Sequence, residues 1–238
     1  MVWTCAKYTF PSTFSYRIPY FSSSYALSAP VPSPSTVKLA LVSSVINRNG
    51  NVETGKKLFE KIRCSMVTME LPEKMIMLKA FMKRLKQKRK GHETTIKTSF
   101  GELVERFEPT FGIREYVIYC GPLHIYVDAP DDSVQDVLKG FKLVQYFGSS
   151  DSLCTCLETN TSEPNWQKCI RPVDSGNEKF DTQGMVFLLT DFTEKVAFES
   201  VNPFSGKKLK KGELLQKPYF FPLKIIKKEK NCTIYKCL

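Results

Sequence analysis

Apolar and polar positions alternate in some stretches of this 238-residue chain and recur at helical spacing in others. Residues 2–10 (VWTCAKYTF) are rich in aromatic and β-branched side chains and predict a strand. In residues 35–47, Val37, Ala40, Leu41, Ser44 and Val45 recur as one face of a helix. Pro30, Pro32 and Pro34 lead into it, each fixing its own φ and biasing the residue before it away from helix. Ser35 is then the expected N-cap. Residues 53–62 predict a second short helix, and residues 64–71 a strand stopped by Pro72. Residues 112–127 read as two strands around a Gly121-Pro122 turn. Residues 131–140 predict a short helix whose opening aspartates suit the positive end of its dipole. A strand is expected at 142–147, and more at 153–158, 184–190, 195–200, 219–228 and 231–236, with a long loop over 160–179.

Residues 73–92 mix apolar Met75, Ile76, Met82 and Leu85 with Lys79, Lys83, Arg84, Lys86, Lys88, Arg89 and Lys90. An amphipathic helix and the arms of a long hairpin both fit; periodicity does not decide between them. The order of elements over residues 1–148 suits a ferredoxin-like β-α-β-β-α-β unit, a topology shared with the RNA-recognition fold. The expected fold class is therefore α+β. A ferredoxin-like or RNA-recognition-like domain would span 1–153, with residues 73–110 inserted, and a β-rich C-terminal extension would span 154–238.

Composition is that of an ordinary globular protein, 42% hydrophobic and 25% charged. The net charge of +11 and pI near 9.2 are less ordinary and favour a polyanionic partner, nucleic acid or an anionic membrane. Residues 207–230 alone hold nine lysines. No apolar run reaches the roughly 18 residues that span a bilayer. No secretory signal pattern opens the chain. The eight cysteines are scattered without a CxxC, so zinc-knuckle spacing is missing. Reduced, mostly buried thiols in a cytoplasmic protein are expected, with no metal and no cofactor.

Free N–H groups at the start of the 35–47 helix favour an anion, and Lys38 in its first turn adds a positive charge. Most capped helices bind nothing, so pattern alone leaves a ligand-free helix start as the simpler reading.

Four passages, taken in order, resemble the Cas five family, the subunit of type I CRISPR surveillance complexes (Cascade) that caps the 5′ end of the guide RNA. They are the opening strand ending in Phe10 followed by Arg17, and the proline-rich run from Ala29 to Lys38. The third runs from Ile113-Arg114-Glu115-Tyr116 to the strand Pro122–Val127, and the fourth is the glycine turn of residues 146–153. One departure is Ala40, where the family often has glycine. Beyond about residue 160 no passage is similar. The resemblance implies an RNA-recognition-like fold with a β-hairpin thumb, which residues 73–108 would supply by position. It also implies contacts to the crRNA 5′ handle, a CRISPR backbone subunit and the large subunit, with target DNA nearby in the assembled complex.

Single-stranded RNA requires cations for phosphates and flat faces for bases. The candidate RNA-binding residues are Phe14, Tyr16, Arg17, Ser33, Ser35, Thr36, Lys38, Lys83, Arg84, Lys86, Lys88, Arg89, Lys90, Arg114 and Tyr116. Tyr8 and Phe10 suit the core better. The basic run also suits a solvated face, or a membrane-surface or adaptor helix. Metal-independent RNA cleavage needs a base and a cation near the 2′-hydroxyl. The two histidines are His92, in the insertion, and His124, amid apolar strand text. No Lys-His pair of the kind used by cleaving relatives follows the thumb, so no catalytic residue is expected. A guide-RNA-processing endoribonuclease on the same fold is the alternative function.

Overall fold

Thr4, Ala6 and Tyr8 are fully buried along the first strand while Lys7 stays partly exposed, so burial follows the pleat. This computed structural model describes residues 1–18, 24–88, 91, 94–173 and 183–238. Strand β1 (Val2–Thr9) and the two-residue β2 (Tyr25–Ala26) precede helices α1 (Pro34–Asn49) and α2 (Val52–Ile62). Strands β3 (Val67–Glu70), β4 (Lys74–Gln87), β5 (Thr94–Thr98), β6 (Gly101–Glu105), β7 (Phe107–Tyr119) and β8 (Leu123–Ala129) follow. A single 3-10 turn then opens α3 (Val134–Leu143). The chain continues through β9 (Thr155–Thr161), β10 (Arg171–Pro172), β11 (Met185–Phe192), a one-turn α4 (Phe198–Val201), β12 (Leu214–Phe221), β13 (Leu223–Lys228) and β14 (Cys232–Cys237).

The protein is a mixed α and β structure, rich in sheet. Among the described residues, one sheet has the order β3-β8-β1-β9, with every neighbouring pair antiparallel. Helices α1 and α3 pack together on it. Ala6, Tyr8, Ile125 and Val127 from the sheet meet Leu41, Val45, Val137 and Phe141 from the helices in one core. Tyr8 buries its hydroxyl there by donating to the Phe141 carbonyl at 2.5 Å.

The second sheet has the order β13-β14-β4-β7-β2. Among the described residues of 73–110, the elements are strands joined by turns, with no helix. Strand β4 pairs with β7 from Met75↔Tyr119 out to Gln87↔Phe107, and β5 and β6 pair with each other within the insertion. Strands after residue 153 join both of these sheets. Strand β9 joins β1, and β14 lies against β4, from Cys232↔Leu78 to Lys236↔Lys74. A third sheet, β10-β12-β11, packs its β11 against α1.

Several expectations are corrected. Residues 142–147 do not form a strand: α3 runs to Leu143, and a Tyr146↔Leu153 bridge closes the loop that follows. Residues 195–200 are not a strand but lead into α4, whose Phe198 packs on Phe59 at 5.8 Å. The stretch expected at 219–228 is two strands, β12 and β13, broken at Pro222. Helix α1 begins at Pro34, the position where a missing N–H costs nothing, with Ser33 rather than Ser35 at its N-cap. No helix among the described residues is long and apolar enough to cross a membrane.

Helix α1 also buries Lys38 completely. Its ammonium donates to Asp191 Oδ1 at 2.7 Å and to the Arg63 carbonyl at 2.8 Å. Burial pushes the Lys38 pKa down, and the Asp191 charge opposes that shift. One cation thus ties α1 to β11 and to the end of α2. Removing one partner of a buried pair strands the other charge, so Lys38→Met should cost about 3–5 kcal/mol in urea unfolding. Adding Asp191→Asn should recover much of that loss. A single-variant cost as small as a surface substitution would show that the pair is not structural.

Candidate nucleic-acid interface

The site is assembled on β7. Its Val117 exchanges backbone hydrogen bonds with Phe14 at 2.8 and 2.7 Å, and its Ile113–Arg114 stretch pairs with β2 in parallel. The segment carrying Arg17 is thereby stitched to the base of the hairpin arm. Tyr16 accepts at its carbonyl from Ala29 N–H, and Arg17 forms a bridge with Ser28. Ser28 N–H donates to the Glu115 carboxylate at 3.1 Å. Burial raises the Glu115 pKa, and that N–H moderates the rise.

Arg17 is exposed, and Arg114 is half-buried with its guanidinium 3.8 Å from Asp151 Oδ2. Asp151 belongs to the loop after α3, which is held against the same strip: Ser15 N–H donates to Ser152 Oγ at 2.9 Å. Gly148 in this loop has φ +74, and a Cβ there would lie 2.9 Å from the Tyr16 ring. The ring and the loop therefore close on each other only with glycine at that position. A cleft of about 80 Å³ opens beside Arg114, lined also by Ala26, Met82, Thr110 and Gly112.

The hairpin arm continues the site outward. On one face, Phe81 and Phe111 stack at 5.6 Å, are 69% and 56% exposed, and Lys83 lies over the Phe111 ring. Across the arm, Lys86 pairs with Glu108 and Arg84 with Thr110 along the backbone. Three residues apart on a pleated strand, Lys83 and Lys86 lie on opposite faces of the arm. Tyr116 is half-buried at the arm's base with its hydroxyl toward Met82 Sδ. Lys88 donates to Thr94 Oγ1 at 2.8 Å. Arg89, Lys90 and His92 lie outside the described residues.

Other expected ligands have different places. Phe14 is fully buried in an aromatic cluster with Phe10 and Tyr119. Ser33 Oγ accepts from Thr190 N–H at 3.2 Å, and Ser35 Oγ meets Thr190 Oγ1 at 2.8 Å. With Lys38 on Asp191, the start of α1 is turned inward onto β11. Residues 33, 35 and 38 thus have no open path to a phosphate in this structure. The anion expected there is present, but it is the chain's own Asp191. Thr36 is half-buried and Tyr16 reaches Thr190 with its hydroxyl. Thr36 and Gly148 stand at one end of a groove of about 470 Å³ between α1 and residues 143–148, with Asn47, Arg48, Gln145 and Tyr146 along it.

His124 lies on the other face of the first sheet, with Nδ1 3.6 Å from Glu70 Oε2, and Tyr126 donates to the same carboxylate at 3.2 Å. Lys7 is its cross-strand neighbour on β1. Among the described residues, no group of three or more His, Cys, Asp or Glu is placed to hold a metal ion. Asp151, Gly148 and the Phe81–Phe111 pair were not candidates in the sequence. The glycine turn marked the loop, but only tertiary pairing brings it to Arg114. Replacing Gly148 by Ala combines a left-handed backbone with the clash on Tyr16, and it should cost about 1–2 kcal/mol in urea unfolding. A change under about 0.5 kcal/mol would mean that the loop relaxes away from Tyr16.

No family model matches the sequence. A solved CRISPR protein from Archaeoglobus fulgidus superposes with a TM-score of 0.50 at 12% identity, over 100% of this chain and 92% of that one. A chain of a CRISPR RNA-guided surveillance complex matches with a TM-score of 0.46 at 12% identity, over 91% and 88% of the two chains. In sequence, the chain is 34% identical over 234 residues to the CRISPR-associated protein Cas5 of Archaeoglobus fulgidus, covering 97% of this chain and 96% of that protein. Similarity at that level over nearly the full length of both proteins means that this chain belongs to the Cas5 family of CRISPR-associated proteins.

Proposed function

We propose that this protein is the subunit of a type I CRISPR effector complex that holds the 5′ handle of the crRNA without cutting it. The observation that carries the reading is a junction: an exposed Arg17, the half-buried Arg114 and the base of a basic, aromatic-bearing hairpin arm meet on one strip of backbone. We read the β3-β8-β1-β9 sheet with α1 and α3 as the ferredoxin-like unit of such a subunit, and residues 73–110 as its thumb. Arg17 and Arg114 would take phosphates, Arg114 trading the long contact to Asp151 for a closer one. Tyr116 would line the cleft, and the thumb, with Lys83, Arg84, Lys86, Lys88, Arg89 and Lys90 along it, would follow the RNA towards a neighbouring backbone subunit. The stacked Phe81 and Phe111 offer a flat face to a base. The large subunit, and through it target DNA, would complete the surroundings.

Ser33, Ser35, Lys38 and Phe14 act in this reading as the framework behind the cleft, not as ligands. Combining Arg17→Ala with Arg114→Ala should weaken handle-RNA binding by about 10-fold or more, at about 1–3 kcal/mol per lost charged contact. Fluorescence anisotropy at fixed salt measures this, and unchanged affinity would overturn the site.

A second reading, a crRNA-processing endoribonuclease, rests on His124, whose carboxylate neighbour Glu70 and cross-strand neighbour Lys7 supply a base, its partner and a cation in one small cavity. Incubating the pure protein with repeat RNA in chelator separates the two. The binding-subunit reading expects intact RNA. A discrete cut abolished by His124→Ala would establish the enzyme instead.

A further inference from the structure

Lys207-Lys208-Leu209-Lys210-Lys211 takes no part in the thumb or the cleft. It lies in the connection between α4 and β12, and that connection is framed at both ends. Asn202 Oδ1 accepts from Phe204 N–H at 3.0 Å, and Ser205 Oγ donates to the Asn202 carbonyl at 2.8 Å while accepting from Lys207 N–H at 3.1 Å. At the far end the Glu213 carboxylate accepts from Lys210 N–H at 2.6 Å and from Ser200 Oγ at 2.9 Å. Thr193 Oγ1 donates to the Gly212 carbonyl at 2.7 Å.

The carboxylates nearest the loop, Glu199 and Glu213, feel the charges of Lys207 and Lys210 but also have other partners. Glu213 is buried and faces inward, and Glu199 pairs with Lys56 at 3.3 Å. The ammonium groups of Lys207, Lys208, Lys210 and Lys211 form no ion pair with the described residues, and all four residues are exposed. Phe204 stands 88% exposed at the start of the loop. Four like charges repel one another most when the backbone holds them together, and a polyanion offsets that cost. Five residues span at most about 18 Å, a length over which a nucleic-acid duplex presents about one negative charge per 1.7 Å. The lysines are mobile point charges suited to phosphates rather than to base edges. The loop lacks the row of aromatic faces that a single strand stacks on.

We propose that this loop is a second nucleic-acid contact, gripping the phosphate backbone of a duplex independently of sequence and separately from the thumb and cleft. The test uses the full chain, a short random-sequence DNA duplex and a single-stranded RNA, each followed by anisotropy across a salt series. Replacing Lys207, Lys208, Lys210 and Lys211 by Gln should weaken duplex binding by about 10-fold or more at low salt and reduce the slope of log K against log salt by about 3.6 if each lysine meets one phosphate. Single-stranded RNA binding should change by less than about 2-fold, since the cleft is untouched. Thermal unfolding of the variant should match the parent, because the replaced side chains are exposed. Unchanged duplex affinity overturns the proposal. So does an equal loss on single-stranded RNA, which would put the loop on the guide path. Loop-dependent pelleting with anionic phospholipid vesicles that duplex does not compete would make it a lipid-headgroup surface instead.

Discussion

A lysine ammonium buried without partners would unfold a domain of this size or give up its proton. Lys38 avoids both because Asp191 and the Arg63 carbonyl meet it at 2.7 and 2.8 Å. Those partners lie on β11 and at the end of α2, so α1 cannot slide or rotate without uncovering a charge. The residue beside Asp191 extends the constraint. Thr190 Oγ1 meets the hydroxyls of Ser35 and Tyr16, and its N–H donates to Ser33 Oγ. Tyr16 in turn packs on Gly148, whose loop carries Asp151 towards Arg114. The position of the arginine cleft therefore descends, contact by contact, from a pair buried in the core.

Strand β7 is the other organiser. Near the core its pairs with β4 are apolar and buried, Met75 with Tyr119 and Met77 with Val117. Beyond the half-exposed Lys79 and the buried Glu115, the same face carries exposed or half-exposed groups. The arm leaves the protein where burial stops contributing and is held by its ladder and by the Phe81–Phe111 stack, worth about 0.5–1.5 kcal/mol. A long two-stranded ribbon with aromatic side chains and cations on its surface is poorly suited to standing alone in water.

The local pattern of the chain was sufficient for β1, α1, α2 and β8, where apolar period and turn chemistry agree. It misplaced the N-cap by two residues, because Pro34 can open a helix and the pattern began one residue later. Residues 142–147 read as a strand because Val144 and Phe147 are apolar, yet those side chains serve as plugs under a loop. The basic insertion left helix and hairpin open, because Lys, Met and Leu suit both; pairing with β7, about thirty residues on, decides it. Of the candidate site, Arg17, Arg114 and the thumb lysines were legible as cations. The helix-start serines and Lys38 were legible only as polar residues near an anion. Nothing local could say that the anion was Asp191, more than 150 residues away.

The same distinction governs the net charge. A formal +11 counts each lysine equally, but the structure does not use them equally. Lys38 is neutralised inside the core. Lys56, Lys61 and Lys227 pair with Glu199, Asp132 and Glu229. Lys224, Lys227 and Lys228 line β13, the edge strand of the five-stranded sheet, where lysines discourage edge-to-edge pairing with another chain. The lysine-rich C-terminal run thus contains both an edge guard and the framed loop at 207–211, although the two read alike in the sequence. Positive charge points to a polyanion only after the internal pairs and the guarded edge are subtracted. The two densest clusters of what remains are the hairpin arm and the loop before β12.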